Sequence, residues 1–321
     1  MSEREIVVES IVKKYPEVTA VDHVSFKVKA GEIFGFLGPN GAGKSTLVSI
    51  LTTLRLPSAG RASVGGYDVV TQANEVRRIA GVALQEIGLD PLMRSMELLT
   101  IQGQLFGASR NDARRRAEEL LDLVRLRDAA DRRVGKYSGG MRRRLDLALA
   151  LVHNPQVLFL DEPTTGLDPA SRRDVWTEVR RLNRDLGMTI FLTTQYLEEA
   201  DELADRIAII DQGKLVAEGT PGDLKARVGG ESINLVFADG SAAEKAAQRL
   251  DDMAERIQRD REMVRLYMPG AAGAVASVVR RLEDTQLEPL TLTLSQPTLD
   301  DVFLQVTGQR FAKEQPARSA V

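Results

Sequence analysis

Residues 38–46 read Gly38-Pro39-Asn40-Gly41-Ala42-Gly43-Lys44-Ser45-Thr46, and this motif is the strongest indication of the fold class. It matches the phosphate-loop pattern G-x-x-x-x-G-K-[ST], in which glycines let backbone N–H groups turn inward around a phosphate. The apolar run 33–37 before it predicts a buried strand, and 46–54 after it predicts a helix whose N-terminus favours an anion. A glycine-rich turn with a chance lysine would carry the same letters. The strand and helix on either side favour a nucleotide-binding loop.

Two side chains of this loop have predicted tasks, and two carboxylates join them. Lys44 is expected to reach the β- and γ-phosphates, and the Ser45 hydroxyl is expected to bind Mg²⁺. Asp161 and Glu162 follow the apolar run 157–160, a predicted buried strand. Open α/β sheets bind ligands at the carboxyl ends of such strands, so Asp161 is a candidate metal ligand and Glu162 a candidate general base. A solvated turn could also carry two adjacent carboxylates.

The bulk composition limits the function classes. The chain has 321 residues, of which 43% are hydrophobic and 28% charged, so it is long enough for two packed domains. The net charge of −3 disfavours a free nucleic-acid binder, and no nucleic-acid partner is expected. The chain has no cysteine, which excludes disulfides and thiolate metal sites. We expect neither a secretory signal nor a membrane helix, because no apolar run approaches the ~20 residues that a membrane helix needs.

Strand-like and helix-like runs alternate over residues 1–222, which favours an α/β domain with a mostly parallel sheet. Within it, about 88–150 shows helical patterning and many arginines, and we predict a helical insertion there. A turn-rich stretch ends this domain, and we predict a smaller α+β domain over 223–308 and a loose polar tail over 309–321. The elements of the smaller domain are predicted as strands near 232–237, 262–267 and 288–294 and helices near 242–257, 271–283 and from 299.

A sharper motif precedes the helix that leads to the acidic strand: Tyr137-Ser138-Gly139-Gly140-Met141. At this point the chain resembles the ATP-binding cassette (ABC) family, whose signature is Leu-Ser-Gly-Gly-Gln in the same place. The resemblance implies a P-loop cassette with a RecA-like core and with antiparallel β and helical subdomains. It also implies a homodimer in which each ATP lies between the phosphate loop of one copy and Ser138, Gly139 and Gly140 of the other.

Other family elements fall in the expected order. Tyr15 matches the aromatic residue that stacks on adenine, although a lone tyrosine is more often a packing residue. Gln85, after the run 81–84, would complete the metal shell or lie on the surface. Asp168 matches the D-loop, and Gln195 stands in the switch segment where most ABC ATPases have histidine. A glutamine amide donates a hydrogen bond but takes no positive charge, so we expect weaker or less pH-dependent hydrolysis.

The switch, the signature helix and the segment 297–304, Pro-Thr-Leu-Asp-Asp-Val-Phe-Leu, are similar to the daunorubicin-resistance type of ABC subunit. That resemblance implies a drug or lipid exporter in which two cassettes pair with two separate polytopic membrane permeases. The cassettes would lie at the cytoplasmic face of the membrane. A non-transport cytosolic ABC ATPase and an importer ATPase with a regulatory C-terminal domain remain alternatives. The segment 299–304 would serve assembly or simply form an amphipathic helix.

The arginine runs carry no motif of their own. Arg114 to Arg116, Arg132 to Arg133 and Arg142 to Arg144 are predicted to lie mostly on solvated faces with ion pairs. Those near the signature could also face anionic lipid or the membrane partner.

Overall fold

Residues 4–85, 88–228, 231–283 and 287–308 are described by this computed structural model. The chain forms two units, Met1–Pro221 and Gly222–Val321. The predicted loose tail over 309–321 lies outside the described residues. In the described part of the chain, no helix is both long and apolar enough to cross a bilayer.

The first unit is an α/β structure with ten strands and seven helices assigned in the described residues. Its strands are β1 (Ile6–Lys14), β2 (Thr19–Val28), β3 (Ile33–Leu37), β4 (Ala59–Val64), β5 (Tyr67–Asp68), β6 (Ala80–Ala83), β7 (Val157–Asp161), β8 (Thr189–Thr194), β9 (Arg206–Asp211) and β10 (Lys214–Gly219). Its helices are α1 (Lys44–Leu51), α2 (Ala73–Ile79), α3 (Ser95–Leu105), α4 (Arg110–Leu123), α5 (Gly139–Ala150), α6 (Pro169–Leu186) and α7 (Leu197–Leu203). A further helix, α8 (Pro221–Val228), begins where the first unit ends.

The central sheet has the strand order β10-β9-β3-β8-β7-β6, parallel throughout except for the antiparallel edge strand β10. Every residue of β3 and β7 is buried. Their continuous apolar sequences follow from that burial, because both faces of a parallel sheet are covered. The register pairs Leu37 with Thr194 and Asp161 with Thr193. The loop after β3 and the carboxylates after β7 therefore meet at one edge of the sheet.

Two hydrophobic clusters hold the first unit together. One lies between the central sheet and the antiparallel sheet β2-β1-β4-β5, where Phe26 stacks on Phe34 with ring centroids 5.2 Å apart. The other joins the helices α3, α4 and α5 to the central sheet, with Leu120 and Leu145 buried in the same cluster as Leu160. The three helices lie within the range predicted for the helical insertion. They place the signature beside the start of α6, which follows β7 in the chain.

The second unit has the β-α-β-β-α-β order of a split βαβ fold. Its elements are β11 (Ser232–Val236), α9 (Gly240–Arg249), β12 (Arg256–Asp260), β13 (Met263–Tyr267), α10 (Ala271–Glu283), β14 (Thr291–Ser295) and α11 (Leu299–Thr307). The antiparallel sheet has the order β12-β13-β11-β14, and residues of α9 and α10 share its core. The helix α11 is bound to this unit by Asp301, whose carboxylate accepts hydrogen bonds from Arg265 and Tyr267.

The prediction of one helix near 242–257 is wrong in its C-terminal half. The helix ends at Arg249, and the chain re-enters the sheet as β12. Only Ile257 of this short strand packs against the core, so its sequence lacks the apolar alternation that marks a strand. The helix after the phosphate loop also begins earlier than predicted, at Lys44 rather than Thr46, and ends at Leu51.

Candidate nucleotide-binding and hydrolysis site

The phosphate loop is shaped by close backbone approaches. Gly43 has φ of 109°, and a Cβ at this position would lie 2.2 Å from the carbonyl oxygen of Ala20. A Cβ on Gly38 would lie 2.5 Å from the carbonyl oxygen of Ile210. Only glycine fits at either position, because a side chain would overlap backbone that cannot move aside. The loop is thus held between the antiparallel sheet and β9.

Lys44 lies inside the loop rather than in solvent. Its side chain is 4% exposed, and its ammonium donates to the carbonyl oxygens of Gly38 at 2.7 Å and Pro39 at 3.1 Å. The same ammonium lies 3.0 Å from Oε1 of Glu162, which is also 4% exposed. Removing either member of such a buried ion pair would leave an uncompensated charge. The loop lysine and the predicted general base are therefore in direct contact.

Ser45 and Asp161 share a second contact. The Ser45 hydroxyl donates to Oδ1 of Asp161 at 3.2 Å, and Thr193 of β8 donates to the same oxygen. Hydroxyl and carboxylate oxygens are the hard ligands that Mg²⁺ prefers, with substrate phosphates and water completing its shell. In the described residues no group of three or more His, Cys, Asp or Glu side chains gathers as a metal cluster. The pair fits an ion that is held largely by a bound phosphate.

Glu162 lies at the centre of the cluster and has an unusual backbone. Its φ is 48°, and its N–H donates to the carbonyl oxygen and to Oγ1 of Thr193, each at 3.1 Å. Its Oε2 accepts from Nε2 of Gln85 at 3.2 Å and from Thr165 at 3.3 Å. The structure thus brings Gln85, predicted from its place after a strand, to the carboxylate of Glu162. Lys44 holds the other oxygen of that carboxylate.

The signature begins helix α5. Ser138 is the N-cap, and its hydroxyl accepts from the N–H of Met141 at 3.2 Å. A Cβ on Gly139 would lie 3.2 Å from Leu167, and one on Gly140 would lie 2.9 Å from Oγ of Ser171. The two glycines therefore let the start of α5 pack against the start of α6. Ser138 itself is exposed at a helix N-terminus, a place that favours an anion.

The remaining predicted residues lie at separate places. Asp168 caps α6, where hydrogen bonds from the side chain and the N–H of Ser171 hold its pKa below the ordinary value. Tyr15 is half-buried at the end of β1, and its hydroxyl accepts from Arg55 at 2.8 Å. The Lys13 ammonium lies 5.4 Å from the centroid of the same ring. Gln195 follows the last residue of β8 and is half-buried.

The match of the ABC transporter family covers residues 21–165. The daunorubicin resistance ATP-binding protein DrrA3 of Streptomyces coeruleorubidus is 44% identical over 308 residues, 96% of this chain and 97% of that protein. This chain belongs to the ABC transporter family. The doxorubicin resistance ATP-binding protein DrrA of Mycobacterium tuberculosis is 44% identical over 309 residues, 94% of this chain and 93% of that protein.

Solved structures agree with this membership. A dimeric ATP-binding cassette in a post-hydrolysis state, bound to ADP and Pi, has a TM-score of 0.61 and 26% identity, covering 67% of this chain and 98% of that chain. As an ABC cassette, the protein binds nucleotide and hydrolyses ATP. The predicted fold class and the predicted resemblance to daunorubicin-resistance subunits are confirmed.

The departures from the family signature have structural explanations. Tyr137, where the ABC signature has leucine, is 4% exposed, and its hydroxyl donates to the carbonyl oxygen of Ala129 at 2.7 Å. The ring fills the helical cluster as leucine would, and the hydroxyl adds a bond to the loop before it. Met141, where the signature has glutamine, packs against the same cluster.

The sequence does not predict the burial of two charged residues of this ABC cassette. Most residues of the arginine runs are predicted to lie on solvated faces, but Arg143 is 2% exposed. Its neighbour Arg142 is exposed, so adjacent arginines have opposite environments that no run of like letters reveals. Glu199 of the switch segment is fully buried, and Oε1 accepts from Thr164 at 2.8 Å and from Trp176 at 2.9 Å. Burial raises its pKa.

A groove of about 540 Å³ opens between the central sheet and the helical layer. Apolar side chains dominate its wall, and the polar ones include Asp146 and His153. His153 stacks on Phe106 with centroids 4.1 Å apart, and burial lowers its pKa. Leu84, the residue before Gln85, also lines the groove. The groove therefore reaches from the surface to the segment that carries Gln85.

Proposed function

We propose that this protein is the ATP-hydrolysing subunit of a drug exporter and that it works as a homodimer on two separate membrane permeases. The observation that carries the proposal is the contact cluster of Lys44, Glu162 and Gln85 beside the Ser45–Asp161 pair, in which Lys44 and Glu162 are buried and Gln85 is exposed. These contacts connect Lys44 of the phosphate loop with Glu162, the candidate base, and lie beside the oxygen atoms of Ser45 and Asp161 that could bind a metal ion. The similarity to daunorubicin and doxorubicin resistance proteins over nearly the whole chain supports drug efflux.

ATP would bind along residues 38–46, with the adenine on Tyr15. The ring of Tyr15 offers a face for stacking, a contact worth roughly 1–3 kcal/mol in nucleic-acid complexes. The loop N–H groups and the dipole of α1 would hold the phosphates. Ser45, Asp161 and Gln85 would hold Mg²⁺, which when bound neutralises charge on the phosphates.

Glu162 would act as the general base. Its carboxylate shares the Lys44 ammonium with two loop carbonyls. A phosphate in the loop is a stronger acceptor for that ammonium, so ATP binding would draw Lys44 away from Glu162. The carboxylate, still oriented by Gln85 and Thr165, could then take the proton of the attacking water.

The dimer follows from the position of the signature. Ser138 and the N–H groups at the start of α5 form an exposed anion-binding helix end on the helical layer. In the proposed dimer, this end of one copy contacts the γ-phosphate bound to the other copy, with Asp168 beside the interface. Each ATP would then be enclosed by two chains, and ATP binding would drive closure.

The membrane partner would dock in the groove beside Leu84. The groove is open and mostly apolar, which suits a short amphipathic segment of a permease. The assembly would contain two cassettes and two permeases at the cytoplasmic face of the membrane. Copurification with a candidate permease, followed by ATPase assays with anthracycline drugs, tests the partner and the cargo.

Glu162→Gln tests the hydrolysis site. The variant keeps the size of the side chain and its contact with Gln85 but loses the base. We expect it to bind ATP, to hydrolyse it about 100-fold or more slowly, and to sediment as a dimer with Mg-ATP. A Glu162→Gln protein that stays monomeric under saturating Mg-ATP would contradict the shared site. Turnover equal to the wild type would contradict the role of Glu162.

A further inference from the structure

A single buried guanidinium joins three functional segments of the first unit. Arg143 lies on α5, five residues after Ser138, and is 2% exposed. Its Nη1 donates to the carbonyl oxygen of Leu84 at 2.7 Å, and its Nη2 donates to the carbonyl oxygen of Asp161 at 3.3 Å. Nη1 also lies 3.0 Å from Oδ2 of Asp146. Arginine suits this site because its planar fork presents several donors in a fixed geometry.

The two carbonyl groups that Arg143 binds belong to the residues just before the two partners in the hydrolysis site. Leu84 precedes Gln85, and Asp161 precedes Glu162. Gln85 in turn donates to Glu162 at 3.2 Å. The contacts therefore form a closed ring. The guanidinium binds the backbone just before Gln85 and just before Glu162, and the side chains of these two residues bind each other.

Asp146 connects this ring to the groove. Its side chain is 16% exposed, and both Asp146 and Leu84 line the cavity of about 540 Å³. A group that enters the groove could contact Asp146 or Leu84 directly. Either contact would shift Arg143, and a shift of Arg143 would move the backbones that carry Gln85 and Glu162.

We infer that Arg143 is a positioning residue that sets the distance between Gln85 and Glu162, and that Asp146 holds Arg143 in place from the floor of the groove. The inference rests on the proposed role of Glu162 as the base. Among the described residues, the guanidinium of Arg143 binds the backbone carbonyl groups of Leu84 and Asp161 and the carboxylate of Asp146, so it would act on the rate of hydrolysis through the backbone.

The test compares variants of the full chain in steady-state ATPase assays. Single loss of Arg143 would remove one donor from Asp146 and from each of two carbonyl groups and could prevent folding. The main variant is therefore the double change Arg143→Met with Asp146→Leu, because apolar replacement of a buried ion pair keeps the fold stable in other proteins. Asp146→Asn and Arg143→Lys are milder variants, and Arg142→Met, at the exposed neighbour, is the matched control.

We expect the double variant to keep its KM for ATP within about threefold and to lose kcat by about tenfold or more. Arg143→Lys should recover part of kcat, because an ammonium can reach one carbonyl group but not both in the geometry of the fork. Asp146→Asn should lower kcat by a few fold, and Arg142→Met should leave it unchanged. A rise in KM with unchanged kcat would overturn the inference.

Glu162→Gln is assayed in parallel to separate the two proposals. If Glu162→Gln is inactive while the folded double variant keeps the kcat of the wild type, the inference on Arg143 fails and the proposed function stands. If Glu162→Gln hydrolyses ATP as fast as the wild type, the proposed function fails and takes the inference with it. If the double variant does not fold, the two milder variants decide. An unchanged kcat in both Arg143→Lys and Asp146→Asn overturns the inference, and a partial loss of kcat in each supports it.

Discussion

Glu162 owes its place in the site to a backbone conformation that few residues other than glycine adopt. A φ of 48° turns the chain sharply after β7, and such a conformation costs on the order of 1–3 kcal/mol. The two hydrogen bonds from its N–H to Thr193 offset part of this strain. The turn aims the carboxylate back at Lys44 rather than along the strand. The strain is therefore part of how the base is aimed.

Gln195 tests whether the switch of this cassette acts by hydrogen bonding alone. We propose that the Gln195 amide, at the position of the family histidine, donates a hydrogen bond to the γ-phosphate or the attacking water, so Gln195→Ala should lower kcat about tenfold. Gln195→His is the matched variant. It should hydrolyse ATP but acquire a pH dependence near 6.5, where an imidazole titrates. Steady-state assays between pH 6 and 8 measure both effects. Equal turnover of Gln195→Ala and the wild type would remove Gln195 from the mechanism.

Asp146 should make the stability of the first unit depend on pH. Burial raises its pKa to about 6, although the nearby Arg143 opposes the shift. Arg77 of α2 and His153 line the same groove. Because the folded state keeps this proton to higher pH than the unfolded state, the contribution to stability is present at low pH. It is lost as the pH rises through about 6.

Asp146→Asn removes that dependence. Relative to the variant, the wild type should gain roughly 1 kcal/mol in free energy of unfolding between pH 7 and pH 5. Urea unfolding followed by the fluorescence of Trp176 measures the first unit, because the chain has 1 tryptophan and it lies in α6. Two curves that stay parallel over this pH range would show that Asp146 does not titrate there.

At the scale of elements, the contact between α5 and α6 depends on Gly140. A Cβ there would lie 2.9 Å from Oγ and 3.1 Å from Cβ of Ser171. We expect Gly140→Ala to destabilise the first unit by about 1–3 kcal/mol and to slow hydrolysis, because the helix starts that carry Ser138 and Asp168 must separate. Adding Ser171→Gly opens the space and should restore part of the stability, because the change also removes the hydrogen bond from the Ser171 hydroxyl to Asp168. Trp176 fluorescence in urea checks this, and an unaffected single variant would contradict the packing argument.

Helices and strands could be predicted from the sequence where burial alone determines which residues they contain. β3, β7 and β8 are buried on both faces, so burial alone dictates their apolar runs and the run identifies them. The strand β12 was not predicted because Ile257 is the only apolar one of its five residues, which leaves no apolar alternation to recognise. The burial of Arg143 could not be predicted because it depends on the carbonyl groups of Leu84 and Asp161, which are far away in the chain.

In the candidate site, the sequence predicts which residues take part but not which of them are in contact. Its members could be named because glycines, the loop lysine and strand-end carboxylates have local spacing rules. The ion pair of Lys44 with Glu162 and the amide contact from Gln85 could not be predicted, since they arise from the order of strands in the sheet. Local pattern identifies the groups, and topology decides which of them touch.

At the scale of the whole molecule, the phosphate loop and the signature have separate structural supports. The loop lies between the central and antiparallel sheets, and the signature lies at the start of α5 in the helical layer. In the proposed dimer these two surfaces of one chain serve different nucleotides. A defect in one surface should therefore leave the other usable by a partner copy.

Mixing two inactive variants tests this division. Lys44→Ala should lose ATP binding at its own loop, and Ser138→Phe should block the signature, so neither protein alone should hydrolyse ATP. In a mixed dimer, the intact loop of the Ser138→Phe copy faces the intact signature of the Lys44→Ala copy, and one site is complete. With random pairing in a twofold dimer, activity should reappear at about one quarter of the wild-type rate. Each variant mixed with itself is the control, and a mixture that stays inactive while both variants fold and pair would contradict the two-chain site.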